Sequence, residues 1–346
     1  MVNGSQKKPR ILLLRTWLRN IGNGFIDLGA YALVKKTFPE AEVIQSSGYS
    51  NLVSSQLSRR VASSPAGTQN FIESPSSTTD SSRLGAAPCT VGNLIEADFV
   101  VLPGCVLGPE GLGNYRSMLS MLAEQQTPLI LLGSGGSEYD VKTEKWVRSV
   151  LAKLNLVGMI TRDMVAFQRY RGCAPQIHAG IDCAFFLKWA YIPPTSDVQF
   201  IAATFDQISE PQLSKEIMIV RPNHEPFGYA KPFQGAFGTV WRWLRRNRRR
   251  YKKFNFFVSD RVEDYLFVYA NAETTYADRV HACIPALVYG KKAQFFFETP
   301  RAHVFDTFFG NELRREPQLL DQTRLHQEQD QMSSILRQMG AKILNL

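Results

Sequence analysis

At 346 residues the chain exceeds a usual single hydrophobic core, so two domains are the default expectation. Its 40 Lys and Arg against 31 Asp and Glu leave a net charge of +9, which suggests an anionic partner, and 44% apolar residues suit a soluble α/β protein. Cys89, Cys105, Cys173, Cys183 and Cys283 are scattered without CxxC spacing. That excludes a sequence-encoded zinc cluster or disulfide framework and fits a reducing cytoplasm. The apolar run 11–14 is too short for a signal-peptide core. Nowhere do roughly 18 apolar residues run uninterrupted, so no membrane span is expected and the protein reads as cytoplasmic, or peripheral at a membrane face.

In chain order, 11–14 predicts a first strand, followed by a polar, glycine-containing turn over 15–24 and a helix over 25–38. A second strand is expected at 42–44. From 46 to about 90 the composition turns to Ser, Thr, Pro and Gly, which cannot bury enough surface to offset the entropy of ordering it, so 58–87 reads as a flexible insertion. Strands then alternate with helices: strand 99–102 closed by Pro103-Gly104-Cys105, helix 115–125, strand 128–132, helix 144–154, strand 157–161, a helix to Tyr170, and strand 177–181 ending at Asp182. That rhythm argues for a parallel sheet. The domain boundaries read as 1–192, a linker over 193–214, and 215–346, the last with strands at 217–220, 254–258 and 293–297 and a helical tail from 316.

The most informative stretch is Thr274-Thr275-Tyr276-Ala277-Asp278-Arg279-Val280-His281, followed by an apolar run to Gly290-Lys291. Residues 271–276 read as a strand end. Pro285 is tolerated only near a helix start, which places that start between His281 and Ile284. Arg279 and His281 then occupy the turn above the strand, where open α/β sheets bind ligands and a helix N-terminus favours negative charge. The plainer alternative is a surface turn in which Asp278 neutralises Arg279.

Residues 241–253, Trp-Arg-Trp-Leu-Arg-Arg-Asn-Arg-Arg-Arg-Tyr-Lys-Lys, interleave cations with aromatics. Phosphate attraction alone carries no sequence specificity, so nucleic acid is not the reading. An anionic membrane surface, with tryptophans at headgroup level, suits the pattern better, against a solvated helix face with its Trp packed inward. GxGxxG, GxxxxGK[ST] and GxSxG motifs are absent, and no metal-ligand spacing occurs.

Several pieces taken together resemble the polysaccharide pyruvyl transferase family: Asn20-Ile21-Gly22-Asn23-Gly24, Ala97 to Gly104, Leu129 to Gly133, Ile160-Thr161-Arg162-Asp163, Gly180 to Phe185, and Arg279-Val280-His281 with Gly290-Lys291. Arg-x-His followed by a helix and Gly-Lys is the most specific of these. Two positions depart from the family pattern: Asn23 follows Gly22 where an acidic residue is usual, and Gly104-Cys105 stands in place of paired glycines. The resemblance implies two Rossmann-like domains with parallel sheets in a GT-B-like arrangement with a cleft between them. The implied activity is transfer of pyruvate from phosphoenolpyruvate to a sugar of a polysaccharide or lipid-linked glycan, as a ketal across two hydroxyls. Phosphoenolpyruvate enters as donor substrate, and no cofactor or metal is called for.

That chemistry needs a site that holds a carboxylate and a phosphate and supplies a proton. An arginine fork pairs bidentately with either anion, and histidine has an unperturbed pKa near 6.5. Arg279 and Arg162 are therefore the candidate anion binders and His281 the candidate acid or phosphate ligand, with Arg279 and His281 forming the catalytic pair. Arg162 has the alternative of a structural pair with Asp163, and Asp182 either orients a sugar hydroxyl or caps a helix. Arg221 and His224 either contact the acceptor or lie on a surface loop. Asn23 and Gly104, in glycine turns that permit close backbone approach, complete the candidates for substrate contact. Rival functions are a GT-B glycosyltransferase using a nucleotide-sugar and a non-catalytic glycan-binding relative.

Overall fold

The computed structural model describes residues 8–16, 20–48, 91–213, 216–224 and 255–344. Most of the Ser-rich stretch, from 49 to 90, and the basic segment 241–253 lie outside the described residues.

Among the described residues, β1 (Arg10–Arg15), β2 (Glu42–Ser47), β3 (Phe99–Pro103), β4 (Leu129–Ser134), β5 (Leu156–Thr161) and β6 (Gln176–Ala179) form one sheet in the order β2-β1-β3-β4-β5-β6. Every neighbouring pair runs parallel. The chain winds outward from β1 to β2 and then back past β1 to β3, so the direction of winding switches between β1 and β3.

Side-chain alternation splits the sheet into two apolar faces. Ile11, Leu13, Phe99, Val101, Ile130 and Leu132 face the cluster that contains α1 (Ile21–Thr37). Leu12, Leu14, Val100, Leu102, Leu129 and Leu131 face the other cluster. There they meet α2 (Pro109–Asn114), α3 (Arg116–Glu124), α4 (Val141–Leu151) and α5 (Met164–Tyr170). Burial on both faces is why these strands read as unbroken apolar runs. Asn20 starts α1 by accepting the Gly22 N–H at 3.0 Å, and Lys35 and Lys36 sit in the last turn, where cations suit the helix dipole.

The second sheet has the order β11-β10-β7-β8-β9, again parallel throughout. Its strands are β7 (Phe200–Thr204), β8 (Met218–Pro222), β9 (Phe256–Phe257), β10 (Thr274–Ala277) and β11 (Lys292–Phe295). Its winding switches between β7 and β10. After α6 (Leu187–Ala190), α7 (Val262–Asn271) and α8 (Val280–Val288) pack on it. The architecture is α/β with two parallel sheets.

Three expectations need correction. The stretch 193–214, expected as a linker, contains β7, a central strand of the second sheet; its small residues Ala202 and Ala203 gave a weak strand signal although all five residues are buried. The helix after Arg279 starts at Val280, with Arg279 as its N-cap, so Pro285 sits inside it. There Pro285 removes the amide that would bond to the His281 carbonyl. The C-terminal tail does not stay with the second sheet. After α9 (Glu312–Arg315), α10 (Gln322–Leu344) returns to the first layer. Ser333 Oγ lies 2.9 Å from Thr37 Oγ1, Arg337 reaches the Thr37 carbonyl and Glu40, and Met339 fills the space above Gly158.

One apolar cluster runs through both layers and joins Phe25, Ile21 and Phe185 to Tyr269, Ala277 and Ile284. Phe25 meets Tyr269 and His224 edge-on at 6.1 and 6.0 Å. Its burial alone is worth about 1.5–3 kcal/mol.

Candidate active site

The carboxyl ends of the two sheets face each other. A cavity of about 340 Å³ between them is lined by Asn20 and Ser137 from the first layer. From the second come Gln207, His224, Asp278, Arg279, Val280, His281, Phe297, Thr299 and Arg301. It lies where Arg279 follows β10 and Gln207 follows β7, at the winding switch of the second sheet, which is where open α/β sheets form ligand crevices.

The turn after β10 is built around Asp278. Its Oδ2 accepts the backbone N–H groups of Asp206, Gln207 and Ile208 at 2.8, 2.6 and 2.9 Å. Burial raises its pKa, against the lowering effect of those N–H groups. Asp278 thereby fixes the loop after β7, and that loop delivers Asp206 to Arg279. The Arg279 Nε and Nη2 donate to the two Asp206 carboxylate oxygens, both at 2.7 Å. The alternative in which Asp278 neutralises Arg279 is thus replaced by a bidentate Asp206–Arg279 pair, with the guanidinium in the cavity wall. The cavity also receives the N-terminal end of α8 at Val280 and His281, together with the exposed Arg301.

His281 bridges the layers. Its Nε2 is enclosed and lies 3.5 Å from Asp182 Oδ2, a contact longer than a hydrogen bond. A Cβ added at Gly22 would stand 2.7 Å from His281 Cβ, so only glycine lets α1 approach this ring. Beside it the Ile21 N–H donates to the His224 carbonyl at 2.9 Å. His224 is itself buried, with Nε2 2.6 Å from the Tyr269 hydroxyl, which in turn lies 3.0 Å from Thr204 Oγ1. Burial, helped by the nearby Arg279 and His281 charges, lowers the His224 pKa to about 3, so this ring is neutral near pH 7. His224 is part of the cavity wall and not of a surface loop.

Behind His281 lies a buried charge chain. Asp182 follows β6 and caps a short helical turn, Cys183–Phe186, by accepting the Ala184 N–H at 2.9 Å. Its Oδ2 accepts from Arg162 Nη1 at 3.1 Å. Burial alone would raise the Asp182 pKa, but the His281 and Arg162 charges outweigh it and hold the carboxyl at about 2. Arg162 is fully enclosed: its Nη2 also donates to Cys105 Sγ and to the Gly136 carbonyl, both at 3.2 Å, and its Nε lies 3.9 Å from Asp163.

The sequence candidates separate accordingly. Arg279, His281 and His224 share the cavity, and Asp182 touches it through His281. Arg162 stands at a strand end as expected but is 0% exposed and does not line the cavity, because its guanidinium is spent on Asp182, Cys105 and Gly136. Arg221 is likewise turned to Glu210, with Nη2 2.8 Å from Oε1. Asn23 does not line the cavity, and its backbone carbonyl accepts from Thr16 Oγ1, while Asn20 takes the cavity position. Gly104, at φ +89°, makes a left-handed turn whose open side is filled by Ile26. Sequence reasoning missed Gln207, Phe297, Thr299 and Arg301. It also missed Asp206, which sits in the stretch taken as linker. Among the described residues, no three His, Cys, Asp or Glu side chains converge as a metal site would require.

Residues 20–293 match the sequence model of a family described as polysaccharide pyruvyl transferase. The chain belongs to that family. Membership carries a transferase role in polysaccharide biosynthesis and a glycan acceptor. No functionally curated protein matches the chain. Among solved structures, a functionally uncharacterised protein of Klebsiella pneumoniae is similar at a TM-score of 0.42 and 14% identity, over 86% of this chain and 88% of that one. UDP-N-acetylglucosamine 2-epimerase from Rickettsia bellii is similar at a TM-score of 0.48 and 10% identity, over 98% and 96%. An S. aureus MnaA–UDP complex is similar at 0.48 and 12%, over 96% and 90%. Among the described residues of this pyruvyl transferase family member, no helix is long and apolar enough to cross a membrane.

Proposed function

We propose that this protein transfers the pyruvyl group of phosphoenolpyruvate to two hydroxyls of a glycan. The observation that carries the reading is Arg279 and His281 at the N-terminal end of α8, side by side in the wall of the cavity between the two layers. Arg279, Arg301 and the helix N-terminus suit the carboxylate and phosphate of the donor. Protonated His281 gives its proton to C3 while one sugar hydroxyl oxygen bonds to C2, and the imidazole recovers a proton from that hydroxyl. The second hydroxyl oxygen then bonds to C2 as the C2–O bond to phosphate breaks, and its proton leaves with the phosphate. The products are one ketal and one inorganic phosphate.

Acceptor-dependent phosphate release tests this. The wild type should release phosphate from phosphoenolpyruvate only when a suitable glycan is present. His281→Ala should be slower by about 10²–10⁴-fold, the usual scale for one acid–base group. An undiminished rate in that variant removes His281 from the chemistry.

A further inference from the structure

We infer that Asp182 is a positioning residue that fixes the tautomer of His281 from across the domain boundary, so that the proton donor is assembled only when the two layers meet. The inference rests on the role just proposed for His281. Four observations carry it. His281 comes from the second layer, while Asp182, Arg162 and Gly22 come from the first. The Asp182 carboxylate is fully buried and oriented at both oxygens, Oδ1 by the Ala184 N–H and Oδ2 by Arg162. The His281 Nε2 is enclosed 3.5 Å from that Oδ2, with no other partner among the described residues. Gly22 closes against the base of the ring and restricts its swing.

An ionised carboxylate only accepts, and its charge 3.5 Å away favours hydrogen on the ring nitrogen that faces it. Neutral His281 is therefore the Nε2–H tautomer, and Nδ1 is the nitrogen that gains and loses the catalytic proton. Nδ1–H of the cation serves C3, and the Nδ1 lone pair of the neutral ring then takes up the hydroxyl proton. Arg279, Arg301, Asp278 and His224 share the cavity wall with the ring, and Arg162 lies behind Asp182; among the described residues none makes a hydrogen bond to Nε2.

Asp182→Asn is the informative change. Its side-chain oxygen is still needed by the Ala184 N–H, which turns the amide NH2 toward Arg162 and His281. A donor then faces Nε2 and favours the opposite tautomer, with Nδ1 already protonated in the neutral ring. In a triad with the same logic, such a swap lowers kcat by about 10⁴ through the wrong tautomer. The expected result here is a kcat loss of about 10²–10⁴-fold with the KM for phosphoenolpyruvate changed less than about threefold. A kcat within about threefold of wild type overturns the inference.

A second measurement does not depend on Asp182→Asn or on turnover. In ¹⁵N-histidine-labelled wild type, with the His281 signals assigned by their loss in His281→Gln, the neutral ring should show a protonated Nε2 and an unprotonated Nδ1. The reverse pattern overturns the inference even if His281→Ala is inactive. The expected pattern together with an undiminished His281→Ala rate would leave this geometry standing and sink the catalytic reading alone.

Discussion

Asp27 is the most instructive buried charge outside the cavity. It lies on the inner face of α1, 1% exposed, with Oδ1 accepting both the Thr16 N–H and the Thr16 hydroxyl at 2.8 Å, and with Arg15 Nε 3.6 Å from Oδ2. Burial is the dominant influence and outweighs the Thr16 and Arg15 contacts, so the carboxyl rises from 3.8 to about 7. A group raised in the folded state contributes fully below its unfolded pKa, and that contribution is lost as the pH climbs through the folded value. At about 1.4 kcal/mol per pH unit, ionised Asp27 costs the fold roughly 4 kcal/mol above pH 7, and some 2–3 kcal/mol of that is incurred between about pH 5 and pH 8. Asp27→Asn keeps an acceptor oxygen for Thr16 and removes the titration. Urea unfolding at several pH values should show the wild type losing roughly 2–3 kcal/mol more than the variant over that range. Parallel pH profiles for the two proteins would refute the burial argument.

Other outcomes follow from the same geometry. A Cβ added at Gly29 would stand 1.9 Å from the Cys183 carbonyl oxygen, so Gly29→Ala must push α1 off the turn it packs on and should lower stability by about 1–3 kcal/mol in thermal unfolding. Arg162→Met leaves the Asp182 carboxylate buried with its strongest hydrogen-bond donor removed, and should cost about 3–5 kcal/mol by denaturant titration. Asp182 is depressed to about 2, so its stabilisation is complete above about pH 4 and fades as the pH falls toward 2; the acid unfolding limb should be less steep in Asp182→Asn.

Much of the first layer was legible because its strands are buried on both faces and stand out as apolar runs between glycine turns. The 99–102 and 157–161 runs are the cores of β3 and β5, and Asp182 is the cap that one of its two readings anticipated. The second layer was harder. Strand β7 is short and partly alanine, and the helix α7, from Val262, received no expectation. The turn at Arg279 and His281 was visible as a motif, but its partners were not. Asp206 lies 73 residues upstream of Arg279 in sequence and Asp182 comes from the other layer, and no local pattern encodes either contact. Arg162 follows the structural alternative, but its closest carboxylate is Asp182, 20 residues away in sequence, and only packing brings the two together.

The central claim is that the cavity between the layers holds a small, doubly anionic donor through Arg279 and its neighbours. Calorimetric titration with phosphoenolpyruvate tests it most directly. The wild type should bind phosphoenolpyruvate and give no heat with UDP, while Arg279→Gln and Arg301→Gln should each weaken binding by more than about tenfold, the scale of one charge-assisted contact of roughly 1.5–3 kcal/mol. Binding of UDP in place of phosphoenolpyruvate, or undiminished phosphoenolpyruvate affinity in both variants, would contradict the account.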